Sequence, residues 1–305
     1  MANLLWHSNS KPRILNEIPF KTEEEFERIV FDSKDFLPDI ITLKRQIRGG
    51  RKSGIPDIIG INTDGDVCII EMKNETVEPK IISQVLEYAI WAETNPDSIR
   101  VLWQDLKDAP EDIEIDWDNL EIRILVIAPK ITQAAVDLSQ KIGYNVDFIE
   151  INRWIHNGNQ FYLLKKIEKE SKQPKIKSVH GKPVYDDKYY MKNRNIESAK
   201  NFIKYSKEIS KIVKNNKWDL ETKYNREYCG YKFGFFNAFG INWLGTKSFA
   251  IFVKITEKEA KSFKIQMTKY DNTWKQAIYK IEPGKTNISD FIIILKFAYE
   301  KLKGK

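Results

Sequence analysis

Residues 57 to 73, Asp57-Ile-Ile-Gly-Ile-Asn-Thr-Asp-Gly-Asp-Val-Cys-Ile-Ile-Glu-Met-Lys73, read as two short β-strands joined by a tight turn. The flanking runs are rich in Ile and Val, and Thr63-Asp64-Gly65-Asp66 between them is a strong hairpin signal. With Gly65 in the left-handed position of a three-residue loop, Asn62 pairs with Asp66, and residues whose numbers total 128 face each other. Asp57 then falls opposite Glu71. Side chains alternate faces along a strand, so Lys73 shares the face of Glu71 while Cys68, Ile70 and Met72 turn away. A two-residue Asp-Gly turn would shift the total to 129 and put Asp57 on the other face, so the register decides whether these charges meet.

Outward from the hairpin, Ile81, Ile82, Val85, Leu86, Ala89 and Ile90 recur at helical spacing over 80–93, and Asn95-Pro96 stops that helix. Upstream, Thr22 followed by Glu23, Glu24 and Glu25 and then Phe26, Ile29 and Val30 predicts a capped helix over 22–33, with Thr22 and Glu25 forming a capping box. Residues 40–47 read as a strand between that helix and the hairpin. Downstream, 99–103 and 122–128 read as buried strands, 132–142 as a helix ended by Gly143, and 146–151 as a further strand. The order is helix, three strands, helix, strand and further α/β elements, which predicts an α/β layer fold with a sheet covered on both faces.

Two carboxylates at adjacent strand ends are the donor set of a hard divalent cation of the magnesium type, with water and phosphate oxygens completing its shell. Lys73 beside them is placed to hold an attacking water or to stabilise charge on a pentacovalent phosphate. The competing reading is a salt-bridged surface hairpin. Against it, Glu71 and Lys73 lie in a strand that is otherwise apolar, where unpaired charge is expensive.

Gly54-Ile-Pro-Asp57 followed by Glu71-Met-Lys73 resembles the signature of the PD-(D/E)XK nuclease superfamily. Gln84-Val-Leu-Glu-Tyr88 is similar to the Q-x-x-x-Y element of its RecB-like and archaeal NucS (EndoMS)-like members; the two polar residues are four apart and share one helical face. The resemblance covers roughly residues 20 to 150. It implies a restriction-endonuclease-like αβββαβ core with a mixed central sheet, and hydrolysis of phosphodiester bonds with Mg2+ or Mn2+. Asp57, Glu71 and the Met72 carbonyl would be the ligands, Lys73 would position water, and Gln84 and Tyr88 would orient the phosphate. A catalytic glutamate on the first helix is also implied; in Thr22-Glu23-x-x-Phe26-Glu27 it is read as Glu23, with Glu27 one turn on as the alternative and helix capping as the competing role. Arg45, Arg48, Arg51 and Lys52 surround Gly49-Gly50 just before the hairpin, a basic loop suited either to a nucleic-acid backbone or to plain solvation.

The whole chain has 305 residues, a prior for two domains, and is 42% apolar and 30% charged with a mean hydropathy of -0.49. Its longest apolar stretch, Phe291-Ile-Ile-Ile-Leu295, is far short of a bilayer span, so a membrane protein is not expected. No signal peptide is read at the N-terminus, and a cytoplasmic location is expected. Cys68 and Cys229 make no metal knuckle or disulfide framework, and His7, His156 and His180 are scattered, so zinc chemistry is not expected. Residues 1–177 carry 24 Lys and Arg against 30 Asp and Glu, whereas 178–305 carry 26 against 13. This asymmetry points the second part at a polyanion, the alternative being lysine-rich solvated faces. The reading is a nuclease-like domain over 1–163, a charged Pro-broken linker over 164–178, and a basic α+β nucleic-acid-binding domain over 179–305. In that last part a helix over 197–215, strands near 228–236, 248–254 and 274–281, and a final helix over 288–302 are predicted, with most of the aromatics as core. Overall the chain reads as a metal-dependent DNA endonuclease of repair or restriction type, with DNA as partner and a homodimer left open. The alternative is a nuclease fold that binds nucleic acid without cutting it.

Overall fold

The computed structural model describes residues 2–5, 13–33, 35–37, 39–45, 56–107, 109–110, 113, 115–167, 185–234 and 236–304. They fall into two compact units, one of Met1–Ala109 with Ile115–Gly181 and one of Lys182–Lys305 with Pro110–Glu114.

In the first unit the elements run β1 (Ala2–Leu5), β2 (Arg13–Glu17), α1 (Glu23–Asp32), β3 (Ile40–Arg45), β4 (Ile58–Asn62), β5 (Val67–Met72), β6 (Thr76–Val77), α2 (Ile81–Thr94), α3 (Pro96–Gln104), β7 (Ile122–Ala128), β8 (Lys130–Ile131), α4 (Gln133–Ser139), β9 (Asn145–His156) and β10 (Asn159–Lys166). The main sheet has the order β1-β2-β9-β7-β5-β4-β3, with β10 also paired to β9. β3, β4 and β5 are antiparallel neighbours, while β5, β7 and β9 run parallel, so the sheet is mixed. β4 and β5 lie in its middle and are buried along their full length, which explains their nearly continuous apolar sequence. Gly60 of β4 is required by close approach: a Cβ there would meet Ile40 Cγ2 and the Ile41 carbonyl at 2.7 Å.

Thr22 caps α1 by accepting from the Glu25 N–H at 3.0 Å. The expected capping box is not formed, because Glu25 reaches back to the Lys21 N–H at 2.6 Å and to Arg153. α2 buries Ile81, Ile82, Val85, Tyr88, Ala89 and Ala92; of the stripe its periodicity predicts, Ile81, Ile82, Val85 and Ala89 are buried, whereas Leu86 is half-buried and Ile90 exposed. Three expectations are corrected. Residues 99–103 are not a strand but the second half of α3, whose first residue is Pro96; proline is pre-organised for that position, and the helix buries Ile99 while exposing Val101. Leu164, Lys165 and Lys166, expected in the linker, pair with Ile151, Glu150 and Ile149 as the end of β10. β1 and β2 were not expected at all.

The second unit contains α5 (Asp187–Asn193), α6 (Ile196–Asn215), β11 (Glu221–Tyr224), β12 (Tyr228–Phe233), β13 (Phe236–Trp243), β14 (Phe249–Val253), α7 (Glu257–Ala260), β15 (Lys269–Asp271), β16 (Gln276–Lys280) and α8 (Ile292–Leu302), the last preceded by a 3-10 turn at Ile288–Phe291. Six antiparallel strands in the order β11-β12-β13-β14-β16-β15 form its sheet. Side chains of α5, α6 and α8 share one core with that sheet; in it Phe202 stacks on Trp243 at 4.8 Å, and Tyr190, Tyr231, Phe239 and Phe249 are buried. The aromatics of this unit are therefore largely its core.

Candidate active site

The hairpin adopts the three-residue turn. Gly65 has φ +80°, the Asn62 N–H donates to the Asp66 carbonyl at 3.0 Å, and Ile58, Ile59, Gly60 and Ile61 face Ile70, Ile69, Cys68 and Val67. The register continues to Asp57, which lies just before β4, and to Glu71 near the end of β5. Asp57 Oδ2 accepts from the Met72 N–H at 2.7 Å, which fixes its carboxyl at the tip of β5.

Glu71 is fully buried. Its Oε1 is contacted by Lys73 Nζ at 2.6 Å and by Gln84 Nε2 at 2.7 Å, while Oε2 is buried and accepts no hydrogen bond. Gln84 Nε2 also donates to Tyr88 Oη at 2.6 Å, so the polar pair on α2 supports Glu71 directly. Lys73 is further tied to Glu23 Oε1 at 3.3 Å, and Glu23 Oε2 accepts from the Asn74 N–H at 3.4 Å. Glu23, Glu27 and Asp57 each present an oxygen within 4.8 Å of the others'. Oxygens bound to one hard cation at about 2.0–2.6 Å lie within about 5 Å of each other, so this spacing and chemistry suit a Mg2+, Mn2+ or Ca2+ ion.

Burial, reinforced by the neighbouring Asp57 charge, pushes the Glu71 carboxyl up to about 8. Burial also raises Asp57, against the stabilising Met72 N–H and the Lys73 charge. For Lys73, burial opposes the ammonium, but the adjoining Glu71, Asp57 and Glu23 outweigh it and its pKa is raised. Four carboxyl groups therefore share a space with the Lys73 ammonium and the Arg45 guanidinium, which lies 3.6 Å from Glu27 Oε2. The ensemble has an excess of acid that a divalent cation would neutralise.

Of the residues singled out in the sequence, Asp57, Glu71, Lys73, Gln84, Tyr88 and Glu23 are brought together, and Glu27, the alternative to Glu23, joins them. Met72 contributes its N–H to Asp57. Arg45 is engaged with α1, through Glu27 and the Glu24 carbonyl at 3.4 Å. Arg48, Arg51 and Lys52 lie outside the described residues.

Two supporting residues had not been anticipated. Asn74 ties the end of β5 to the segment before α1, its Nδ2 donating to the Phe20 carbonyl at 2.8 Å. Arg153 of β9, 6% exposed, donates to Glu25 Oε1 at 2.8 Å and to the Pro19 carbonyl at 2.7 Å, and its guanidinium lies 4.6 Å from the Phe20 ring centroid. The Arg153 hydrogen bond holds the Glu25 carboxyl below the usual range. Together they clamp the start of α1, and with it Glu23 and Glu27, against the sheet.

No family model matches the sequence, and no curated protein matches it. Among solved structures, the chain is similar to a repair endonuclease from Pyrococcus abyssi, at 17% identity and a TM-score of 0.28 over 49% of this chain and 65% of that one. EndoMS in its apo form matches at 17% identity and 0.27, and EndoMS in complex with double-stranded DNA at 17% and 0.28, each over 49% of this chain and 64% of the other. The matched region thus spans slightly less than two thirds of each of those chains.

Proposed function

We propose that this protein is a metal-dependent nuclease that hydrolyses phosphodiester bonds in DNA, with a PD-(D/E)XK-type core in its first unit. The observation that carries the reading is Glu71. A fully buried carboxyl with one oxygen bound by Lys73 and Gln84, the other accepting from no donor, and a second acid, Asp57, against it is costly in a purely structural role. It is what a metal ligand requires.

Asp57 and Glu71, with the Met72 carbonyl, would hold Mg2+ or Mn2+, and Glu23 and Glu27 add carboxylates beside Asp57. When bound, the ion polarises a phosphoryl oxygen and lowers the pKa of water. Lys73, kept charged by three carboxylates, holds the nucleophilic water or the developing negative charge. Gln84 fixes the orientation of Glu71, and Tyr88 fixes Gln84. The second unit supplies affinity for the polyanion. A fold kept only for binding would gain nothing from four converging carboxylates, which repel phosphate.

The test is cleavage by the purified full chain with Mg2+ or Mn2+ against duplex, single-stranded, mismatched and branched DNA and against RNA. Divalent-dependent cleavage of a DNA, abolished in Asp57→Ala and Lys73→Ala, is expected. Metal-independent cleavage, or cleavage that survives both substitutions, would overturn the assignment.

A further inference from the structure

Helix α6 carries Lys200, Lys204, Lys207, Lys211 and Lys214, at alternating steps of four and three residues, and all five are exposed. At 100° per residue they fall within an arc of about 80°, and at 1.5 Å per residue they extend over about 21 Å. The opposite face is committed to the core through Phe202, Tyr205, Ile209 and Val213. The two acids of the helix, Glu197 and Glu208, sit on one flank of the stripe and not within it. Lys204 approaches Glu208, and Lys207 approaches Asp187 of α5.

Apart from the Lys204–Glu208 pair, this is not the interleaving that helix stability alone favours. Like charges three and four residues apart repel, and a solvated face normally interleaves Glu with Lys at i,i+4 to gain from the pairing. Five lysines in an unbroken row are an arrangement that an external polyanion would stabilise. The choice of lysine over arginine matters too: an ammonium is a point charge that contacts phosphate without the forked geometry used to read base edges. The stripe holds no aromatic residue, and its one exposed apolar neighbour, Ile196, lies at the end of the helix, so it offers little to bury in a bilayer or a protein interface. At 3.4 Å per nucleotide along a strand, about 21 Å faces some six phosphates.

We propose that the lysine row of α6 is a sequence-independent binding surface for the backbone of duplex nucleic acid. It lies in the second unit, shares no residue with the carboxylate cluster, and does not depend on cleavage.

The experiment measures binding of the full chain to a fluorescent 20-base-pair duplex of arbitrary sequence in EDTA, over a range of KCl concentrations. K200Q/K204Q/K211Q removes three contacts from the row, and K258Q/K264Q/K269Q removes the same charge from exposed positions elsewhere in the unit. Each lost phosphate contact lowers the slope of log affinity against log salt by about 0.9, so the row variant should lose about 2.7 from the slope and weaken at least tenfold at 0.15 M salt. The control variant should change far less, and a second duplex of unrelated sequence should bind equally well. Equal losses in both variants would reduce the row to bulk charge and overturn the proposal. So would row-dependent binding to vesicles containing phosphatidylserine that is tighter than to the duplex. A chain that cuts nothing but shows the expected salt slopes would overturn the nuclease reading and leave this surface standing.

Discussion

Glu71 and Asp57 form one titrating system, and each carboxyl is defined by the other. Because Asp57 raises Glu71, Asp57→Asn should bring the Glu71 pKa down from about 8, while burial keeps it above the ordinary 4.5. Carboxyl NMR titration of the metal-free variant reads this, and a Glu71 that stayed near 8 would deny the coupling. The folded chain holds this proton up to about 8, whereas the unfolded chain releases it near 4.5, so between those values the folded state binds more protons. The Glu71 contribution to stability is complete below pH 4.5 and lost as pH rises through 8. Melting in EDTA at pH 5, 6.5 and 8 should show that decline, with Glu71→Gln flattening it. A divalent cation must displace the same proton, so Mn2+ affinity should rise with pH up to about 8, as calorimetry in buffers of different ionisation heat would detect. Pre-ionised carboxylates would give no such slope.

The hairpin is the element on which the site depends, and its turn separates register from stability. Gly65 at φ +80° admits Asn far better than a β-branched residue, so Gly65→Asn should be mild while Gly65→Val costs about 1 kcal/mol or more and threatens the pairing of Asp57 with Glu71. Cleavage should then fall further than the melting temperature does; parallel losses would mean that the register survives. This element was legible in advance because its information is local: the Asp-Gly turn, alternation along each strand and the glycine conformation together specify which residues face each other. The same holds for Gln84 and Tyr88, one helical turn apart on α2. Helix α3 is not legible in the sequence because Ile99, Val101, Leu102 and Trp103 crowd into a short apolar run that fits a strand as well as a helix, and a Pro96 that ends one helix can equally begin the next. Asn74 and Arg153 escaped notice because their partners, Phe20 and Glu25, are 54 and 128 residues away, and no pattern along the chain records such pairings. The sequence leaves Glu23 and Glu27 as alternatives for the same reason, and the folded chain brings both beside Asp57.

At the scale of the whole molecule the division of charge coincides with a division of structure. The carboxylates of the candidate site belong to one compact unit and the lysine row to the other. A fragment of residues 1–181 should therefore keep a cooperative melt and divalent-ion binding, yet lose most of its affinity for duplex DNA relative to the full chain. Anisotropy titrations of both proteins in EDTA decide this: equal binding would mean that the lysine excess serves solubility alone. Among the described residues no helix is long and apolar enough to cross a membrane. The asymmetry of charge could be read from the sequence, but the alignment of lysines on one face of α6 acquires meaning only once the other face is known to be buried.

The stretch from Asp57 to Tyr88 has a consequence for how the chain acquires its chemistry. Five of the eight side chains that meet at the site, Asp57, Glu71, Lys73, Gln84 and Tyr88, occupy 32 consecutive residues, and Glu23, Glu27 and Arg45 arrive from elsewhere. Most of the loop-closure entropy of assembling the centre is therefore avoided, since one hairpin and one helix hold nearly all of it. During folding this segment should gain protection early, before the long-range closure that brings α1 across.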